Sequence, residues 1–299
     1  MARSAARNRS EWVLVVVLFW LLRTLPRTLG YALARALVGV MRMAAPRFTQ
    51  VARRNLDLAA PEFDATRRQR CIDGCFENMA RVLVGIANFP VITKDNLHRW
   101  IRVEGLDNLE AALRRGKGAL IIAGHLGNWE LGGISHAWFS APLSVVVRPL
   151  DNPLLERIAV RYRSVSGNKP VSRRDSPRQL IHTLRNNGVV GIFIDQNTTP
   201  DRGLFVDFFG VPACVDGGLA KLAGHTGAAM IPVFAVWSEA ERRYVLRYYP
   251  PIEPTGDQVR DTQAAQSALE AAVREYPEQW LWIHRRWKTR PEGAPPVYS

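Results

Sequence analysis

The chain has 299 residues, 47% of them hydrophobic, enough to bury a substantial core as one large α/β domain or as a domain with appendages, so an unfolded or fibrous polypeptide is excluded. Forty Lys and Arg against 27 Asp and Glu leave a formal charge of +13, which favours an anionic partner such as a phospholipid surface, a phosphorylated substrate or nucleic acid. The three cysteines, Cys71, Cys75 and Cys214, have no disulfide-framework spacing and no second pair to complete a metal site, so they are read as structural thiols of a reducing compartment.

The amino-terminal fifth is cationic, with ten arginines up to Arg54 opposed only by Glu11 and Asp57. Within it Trp12 to Leu22 forms an uninterrupted apolar run, which as a helix spans only about 16 Å, roughly half a bilayer's hydrocarbon thickness. Leu29 to Ala45 spaces Arg35 and Arg42 among apolar residues as a helix lying at an interface would. Together they read as a membrane anchor, embedded or laid flat, with Trp12 and Trp20 suited to the headgroup region. A cleaved signal peptide, with Ala32-Leu33-Ala34 as its cleavage site, and a buried core helix are the competing readings.

From Pro61 to Phe89 the pattern predicts a helix capped by Asp64 or Thr66, apolar at Cys75, Met79, Val82 and Ile86 and stopped by Pro90. Strand signals follow at Ala119 to Ala123, Leu143 to Val147, Val189 to Ile194, Met230 to Trp237 and Tyr244 to Tyr249. Helical patterns lie between them near Asn108 to Arg115, Trp129 to Phe139, Pro153 to Ser164, Pro177 to Asn186, Leu219 to Thr226 and Asp261 to Tyr276. Short apolar strands alternating with helices predict a mostly parallel sheet covered on both faces. Ligands in such folds sit outside the carboxyl ends of the strands.

The first strong strand ends in Gly124-His125-Leu126-Gly127-Asn128-Trp129-Glu130. His125 leaves the strand end and Glu130 lies one turn into the next helix, so the turn can bring a proton-transfer group beside a carboxylate that fixes its tautomer. Gly124 and Gly127 permit close backbone approach. The His-x-x-x-x-Glu spacing is weak by itself, and on spacing alone a structural pair is the better reading.

A longer resemblance supplies the context. VEGLDNLEAALRRGKGALIIAGHLGNWELGG resembles the signature segment of the bacterial lipid A late acyltransferases, a lysophospholipid-acyltransferase-like family that also includes mycobacterial phosphatidylinositol mannoside acyltransferases. Val145 to Pro153 is similar to the family's arginine-containing block, FIDQNTTPDRGLFVDFFGVPACV to its Asp-Gln and Phe-Phe-Gly blocks, and Gln279 to Pro291 to its closing Trp- and Arg-rich block. VARRNLDLAAPEFD resembles the segment that follows the family's membrane anchor. The likeness covers nearly the whole chain in the family's order.

It implies a glycerol-3-phosphate-acyltransferase-like α/β fold with a membrane-anchoring helix, divided as residues 1–45 for anchor and interfacial helix and 46–299 for a single acyltransferase domain. It implies lipid A and lipopolysaccharide biosynthesis at the cytoplasmic face of a bacterial inner membrane. A fatty acyl chain would pass from a thioester, acyl carrier protein or coenzyme A, to a lipid hydroxyl, with no further cofactor, no metal and no nucleic acid. His125 is then the base and Glu130 its partner, with Gly127, Asn128, Arg148, Asp195, Gln196, Arg285 and Arg286 as substrate-binding residues.

Arg148 suits a phosphate or an oxyanion, or else a surface ion pair. Asp195 suits orientation of Arg148 or the acceptor, or else a turn cap. Arg285, Arg286, Lys288 and Arg290, interleaved with Trp280, Trp282 and Trp287, offer phosphate contacts beside amphipathic rings; the alternatives are a single-stranded nucleic-acid surface or a carboxy-terminal helix that buries its tryptophans. His136, His225 and His284 are read as structural.

Two departures from the family pattern bear on substrate identity: Val147 replaces an aromatic residue before Arg148, and Ala213-Cys214-Val215-Asp216-Gly217-Gly218 stands where threonine is frequent. Other lipid acceptors, namely a mannosylated phosphatidylinositol, an ornithine-type lipid or a lysophospholipid, therefore remain open. A non-catalytic protein binding anionic lipid or nucleic acid is the rival of another class. A serine hydrolase is disfavoured because no Gly-x-Ser-x-Gly elbow occurs.

Overall fold

Four α-helices precede the first strand in the computed structural model, which describes residues 4–172 and 176–298, with Ser172 and Ser176 as backbone only. They are α1 (Ala5–Thr24), α2 (Arg27–Ala44), α3 (Pro46–Ala59) and α4 (Ala65–Asn88). Pro26 and Pro46, which lack the N–H a continuing helix would need, sit at the starts of α2 and α3. Asp64 caps α4 by accepting from Arg67 N at 2.6 Å. Residue 45, the boundary suggested by the sequence, lies at the junction of α2 and α3.

The alternating region follows as β1 (Ile101–Glu104), α5 (Leu106–Arg114), β2 (Ala119–Ala123), α6 (Trp129–Phe139), β3 (Leu143–Val147), α7 (Pro153–Arg163), β4 (Lys169–Ser172), α8 (Ser176–Arg185) and β5 (Val189–Phe193). Then come β6 (Gly203–Phe208), β7 (Val211–Asp216), α9 (Gly218–Thr226), β8 (Ala229–Ser238), β9 (Arg243–Tyr248) and α10 (Gln258–Glu275). Seven strands form one mixed, mostly parallel sheet in the order β1-β9-β8-β2-β5-β3-β4, in which the β8–β9 pair alone is antiparallel. β6 and β7 form a separate hairpin.

The period of two along a strand divides the core between the faces. Leu120 and Ile122 of β2 pack with Leu184, Ala223 and Leu269 on one side. Ala119 and Ile121 pack with Leu109, Leu131 and Ile134 on the other. Burial on both faces explains why β2, β5 and β8 read as continuous apolar runs rather than as alternating patterns.

The expected membrane-anchoring helix is not present as such. Among the described residues no helix is long and apolar enough to cross a membrane. The apolar run occupies only the middle of α1, between Arg7, Arg9 and Glu11 at one end and Arg23 at the other. α2 turns its Gly30, Ala34 and Val38 face inward, and Gly30 approaches α1 so closely that a Cβ there would stand 3.0 Å from Leu22 O. The polar face of α2 is tied to α4, with Arg35 Nε 2.9 Å from Glu77 and Arg42 Nη1 2.7 Å from Asp73. No described helix can therefore span a bilayer, which corrects the expected spanning anchor and the integral inner-membrane placement drawn from it.

Candidate active site

β2 and β5 pair in parallel, with Ala123 opposite Phe193, so both strands deliver their next residues to one edge of the sheet. His125 and Asp195 meet there. Asp195 Oδ1 lies 2.8 Å from His125 Nδ1, and Oδ2 accepts from the His125 backbone N–H at 2.6 Å and from the Trp280 indole N–H at 3.1 Å. Gly124 makes room for this: a Cβ there would stand 2.8 Å from Leu269 Cδ1 and 3.4 Å from Asp195 Oδ2.

Asp195 is 3% exposed. Burial alone would raise its carboxyl, but the imidazolium of His125 and the three donated hydrogen bonds hold it down at about 2. Burial works in the opposite direction on His125; it is outweighed by the charge and hydrogen bond of Asp195, with help from Glu130, so the imidazole titrates above its usual value. A histidine in this setting exchanges protons with Nδ1 engaged and its ring flanked by Trp129 and Phe193, at 4.9 and 4.8 Å between centroids.

The turn that presents His125 is fixed on three sides. Gly127, at φ +65°, lies so close to β8 that a Cβ would fall 1.9 Å from Ala235 O. Its N–H donates to Gln279 O at 3.0 Å, Asn128 N–H donates to Ala235 O at 2.8 Å, and Asn78 Nδ2 donates to Gly127 O at 2.8 Å. The segment after a 3-10 turn at Pro277–Gln279 straps across this turn, with Leu281 N–H donating to His125 O at 3.0 Å.

A cavity of about 270 Å³ opens beside His125 and runs between α6 and the sheet. Arg148 and Gln196 stand at its exposed end, whereas Ile121, Leu143 and Leu246 close its buried end. Also at the buried end is His136, which accepts or donates a 2.7 Å bond with the Tyr248 hydroxyl through Nδ1, leaves Nε2 unpartnered and is lowered to about 4 by burial. The walls are mostly apolar, which suits a hydrocarbon chain whose reacting end is held at the mouth.

The chain matches the family described as bacterial lipid A biosynthesis acyltransferase over residues 3–289. It is 31% identical over 283 residues to the lipid A biosynthesis palmitoleoyltransferase of Escherichia coli strain K12, covering 93% of this chain and 91% of that protein. To the lipid A biosynthesis lauroyltransferase of the same organism it is 29% identical, covering 96% and 94%. To the phosphatidylinositol mannoside acyltransferase of Mycobacterium tuberculosis strain H37Rv it is 32% identical over 218 residues, covering 71% and 68%.

The chain belongs to the bacterial lipid A biosynthesis acyltransferase family.

Within this acyltransferase the residues singled out from sequence separate into groups. His125, Glu130, Arg148 and Gln196 border the cavity. Asp195 lies behind His125 as its hydrogen-bond partner, a position that sequence reasoning gave to Glu130. Glu130 instead pairs with Arg163, whose Nε donates to Oε2 at 3.0 Å, and it acts on His125 only through its charge. Gly127 and Asn128 shape the turn, and Asn128 is fully buried with Oδ1 capping α6.

Arg285 is exposed and stacks over Tyr298. Arg286 is 0% exposed and binds Cys214 O at 3.1 Å and Gln266 Oε1 at 2.9 Å. Neither borders the cavity, and burial lowers the Arg286 guanidinium to about 10. Trp280, Trp282 and Trp287 are all buried, which removes them as a nucleic-acid stacking surface.

Two residues escaped the sequence reading. Arg163 meets Glu130 from 33 positions away, and no local spacing announces such a pair. Trp280 was noticed only as part of a cationic, aromatic block, whereas its indole N–H is a direct ligand of the Asp195 carboxylate.

Proposed function

We propose that this acyltransferase moves a fatty acyl chain from a thioester, with acyl carrier protein as the first donor to try and coenzyme A as the second, to a hydroxyl of a lipid A precursor. The His125–Asp195 couple, with its carboxylate buried and its imidazole at the mouth of an apolar cavity, is the single observation that supports this reading most strongly. The acceptor hydroxyl gives its proton to His125 Nε2 as its oxygen attacks the thioester carbonyl. The carbon–sulfur bond then breaks, and the imidazolium, stabilised by Asp195, returns the proton to the leaving thiolate. Atoms balance without an acyl-enzyme.

The backbone amides of Gly127 and Asn128 are already bonded to Gln279 and Ala235, so stabilisation of the oxyanion is assigned to Arg148, with about 3 to 4 kcal/mol expected from such a donor. The Glu130–Arg163 pair sets the local charge beside the base. The acyl chain occupies the cavity along α6.

The acceptor assignment follows the printed names of the Escherichia coli relatives; the mycobacterial relative makes a phosphatidylinositol mannoside the second acceptor to test. Labelled acyl chains on acyl carrier protein and on coenzyme A are offered with a tetra-acylated lipid A precursor or a phosphatidylinositol mannoside, using wild type and His125→Ala. Transfer by wild type, reduced about 10²- to 10⁴-fold in the variant, is the expected result. Equal transfer by both proteins rules out His125 as the base, and transfer to the mannoside alone rules out the lipid A precursor.

A further inference from the structure

A second cleft, of about 510 Å³, lies between α2, α4 and the outer end of the β8–β9 hairpin. Its walls are aromatic and cationic: Arg27 stacks over Trp100 at 3.9 Å, and Arg81 lies 4.8 Å from the Trp237 ring and 5.6 Å from that of Tyr31. Arg27, Arg81 and Arg242 line it against Glu239, which Arg81 engages at 2.7 Å. Among the described residues Arg27 pairs with no carboxylate; its polar contact is a long 3.4 Å bond to Arg99 O, and burial lowers its guanidinium.

Stacking does not account for the polar atoms left over. The Trp237 indole N–H belongs to the lining and has no hydrogen-bond partner, and the Tyr244 hydroxyl, on a residue 4% exposed, meets the Asn128 amide and keeps its own proton to donate. Asn128 Nδ2, beside that hydroxyl, lies behind Gly85, where a Cβ would approach it to 2.6 Å. An indole N–H, an amide NH₂ and a guanidinium can only donate, and a phenol that stays protonated can donate as well. Leaving such groups buried and unpaired is costly. A convergent set of donors beside excess positive charge calls for an oxygen-rich anion.

The position is also informative. Asn128, at the back of the cleft, is three residues from His125, at most about 11 Å of extended chain. The cleft and the base therefore flank the same turn. We propose that this cleft binds a phosphate ester of the acceptor lipid's headgroup, gripped by Arg27, the Trp237 indole N–H and the Tyr244 hydroxyl, and so directs the acceptor's hydroxyl toward His125. The proposal rests on the acceptor reading above, and binding is measured separately from transfer so that the two fail separately.

Calorimetric titration of the full chain compares inorganic phosphate, a hexose phosphate and the unphosphorylated hexose, with Arg27→Gln, Trp237→Phe and Tyr244→Phe as variants that keep bulk and rings. The hexose phosphate should bind wild type at least about tenfold more tightly than inorganic phosphate, the hexose should not bind, and each variant should weaken hexose phosphate binding about tenfold or more. Equal affinity for the two phosphates assigns the cleft to free phosphate and overturns the headgroup role. No phosphate binding, or binding indifferent to the variants, overturns the site itself. In the transfer assay Arg27→Gln should raise the acceptor KM.

Discussion

Asp195 is 70 positions from His125 in the chain, yet it holds both the ring and the backbone N–H of that residue. Two carboxylates near one imidazole invite a direct comparison. Asp195→Asn removes the charge that stabilises the imidazolium and should lower kcat about 10²- to 10⁴-fold. Glu130→Gln leaves the His125–Asp195 bond in place and should cost less than tenfold; a larger loss for Glu130 than for Asp195 would reverse the assignment of partner. The pH profile supplies a second readout. A base works when neutral, so the acid limb of kcat/KM should turn above the ordinary histidine value of 6.5 in wild type and move toward lower pH in Asp195→Asn. From sequence, the Gly-His-Leu-Gly-Asn motif marked His125, and the family likeness marked Asp195 for orienting Arg148 or the acceptor, whereas the structure bonds it to His125. Register between β2 and β5 decides that, and register is a long-range property.

At the scale of elements, the glycines around α6 are in different situations. Gly127→Ala forces a Cβ against Ala235 O in a left-handed conformation and should destabilise by at least ~2 kcal/mol, read as a lower thermal midpoint with transfer lost. Gly133 faces open space along the cavity. Alanine there should stabilise α6 by up to ~1 kcal/mol. Phenylalanine should instead fill the cavity and shift the preferred donor to shorter acyl chains, measured by competition among chain lengths. The strands β2, β3, β5, β8 and β9 were legible because each is an apolar run bounded by helical patterns. β1 and β4 were missed as four-residue strands at the sheet edges. The β6–β7 hairpin was missed because it turns at Phe209-Gly210, both at positive φ, and phenylalanine carries no signal for that conformation. The carboxy-terminal tryptophans do not lie on a helix; beyond Pro277–Gln279 they follow an irregular path and pack on Phe208 and Phe209.

Across the whole molecule, stability should depend on pH through the same couple. Asp195 is held below its ordinary value of 3.8, so its contribution is present above that pH and is lost as pH falls toward about 2. His125 is raised above 6.5, so its contribution is complete below 6.5 and fades as pH rises through the raised value. The two overlap between pH 3.8 and 6.5, and there the difference in thermal midpoint between wild type and His125→Ala should be largest. A flat difference across pH would show that the ion pair does not form. The variant comparison is needed because His136 and His284, both held neutral by burial down to about 4, remove stability over the same acid range. The fold absorbs only part of the amino-terminal apolar run: Leu22 is buried and Leu18 and Phe19 pack on the core, whereas Val13, Leu14, Val17 and Trp20 stay exposed.

The strap from Pro277 onward also bears on the order in which a growing chain gains its chemistry. His125 and Asp195 leave the ribosome well before Trp280, whose indole completes the carboxylate's bonding, and before Leu281 and Gln279, which pin the turn. A nascent chain therefore exposes its imidazole without the geometry that tunes it. On the proposed assignment of His125 as the base, a chain cut within the strap should therefore lose acyl transfer, read by limited proteolysis followed by the transfer assay.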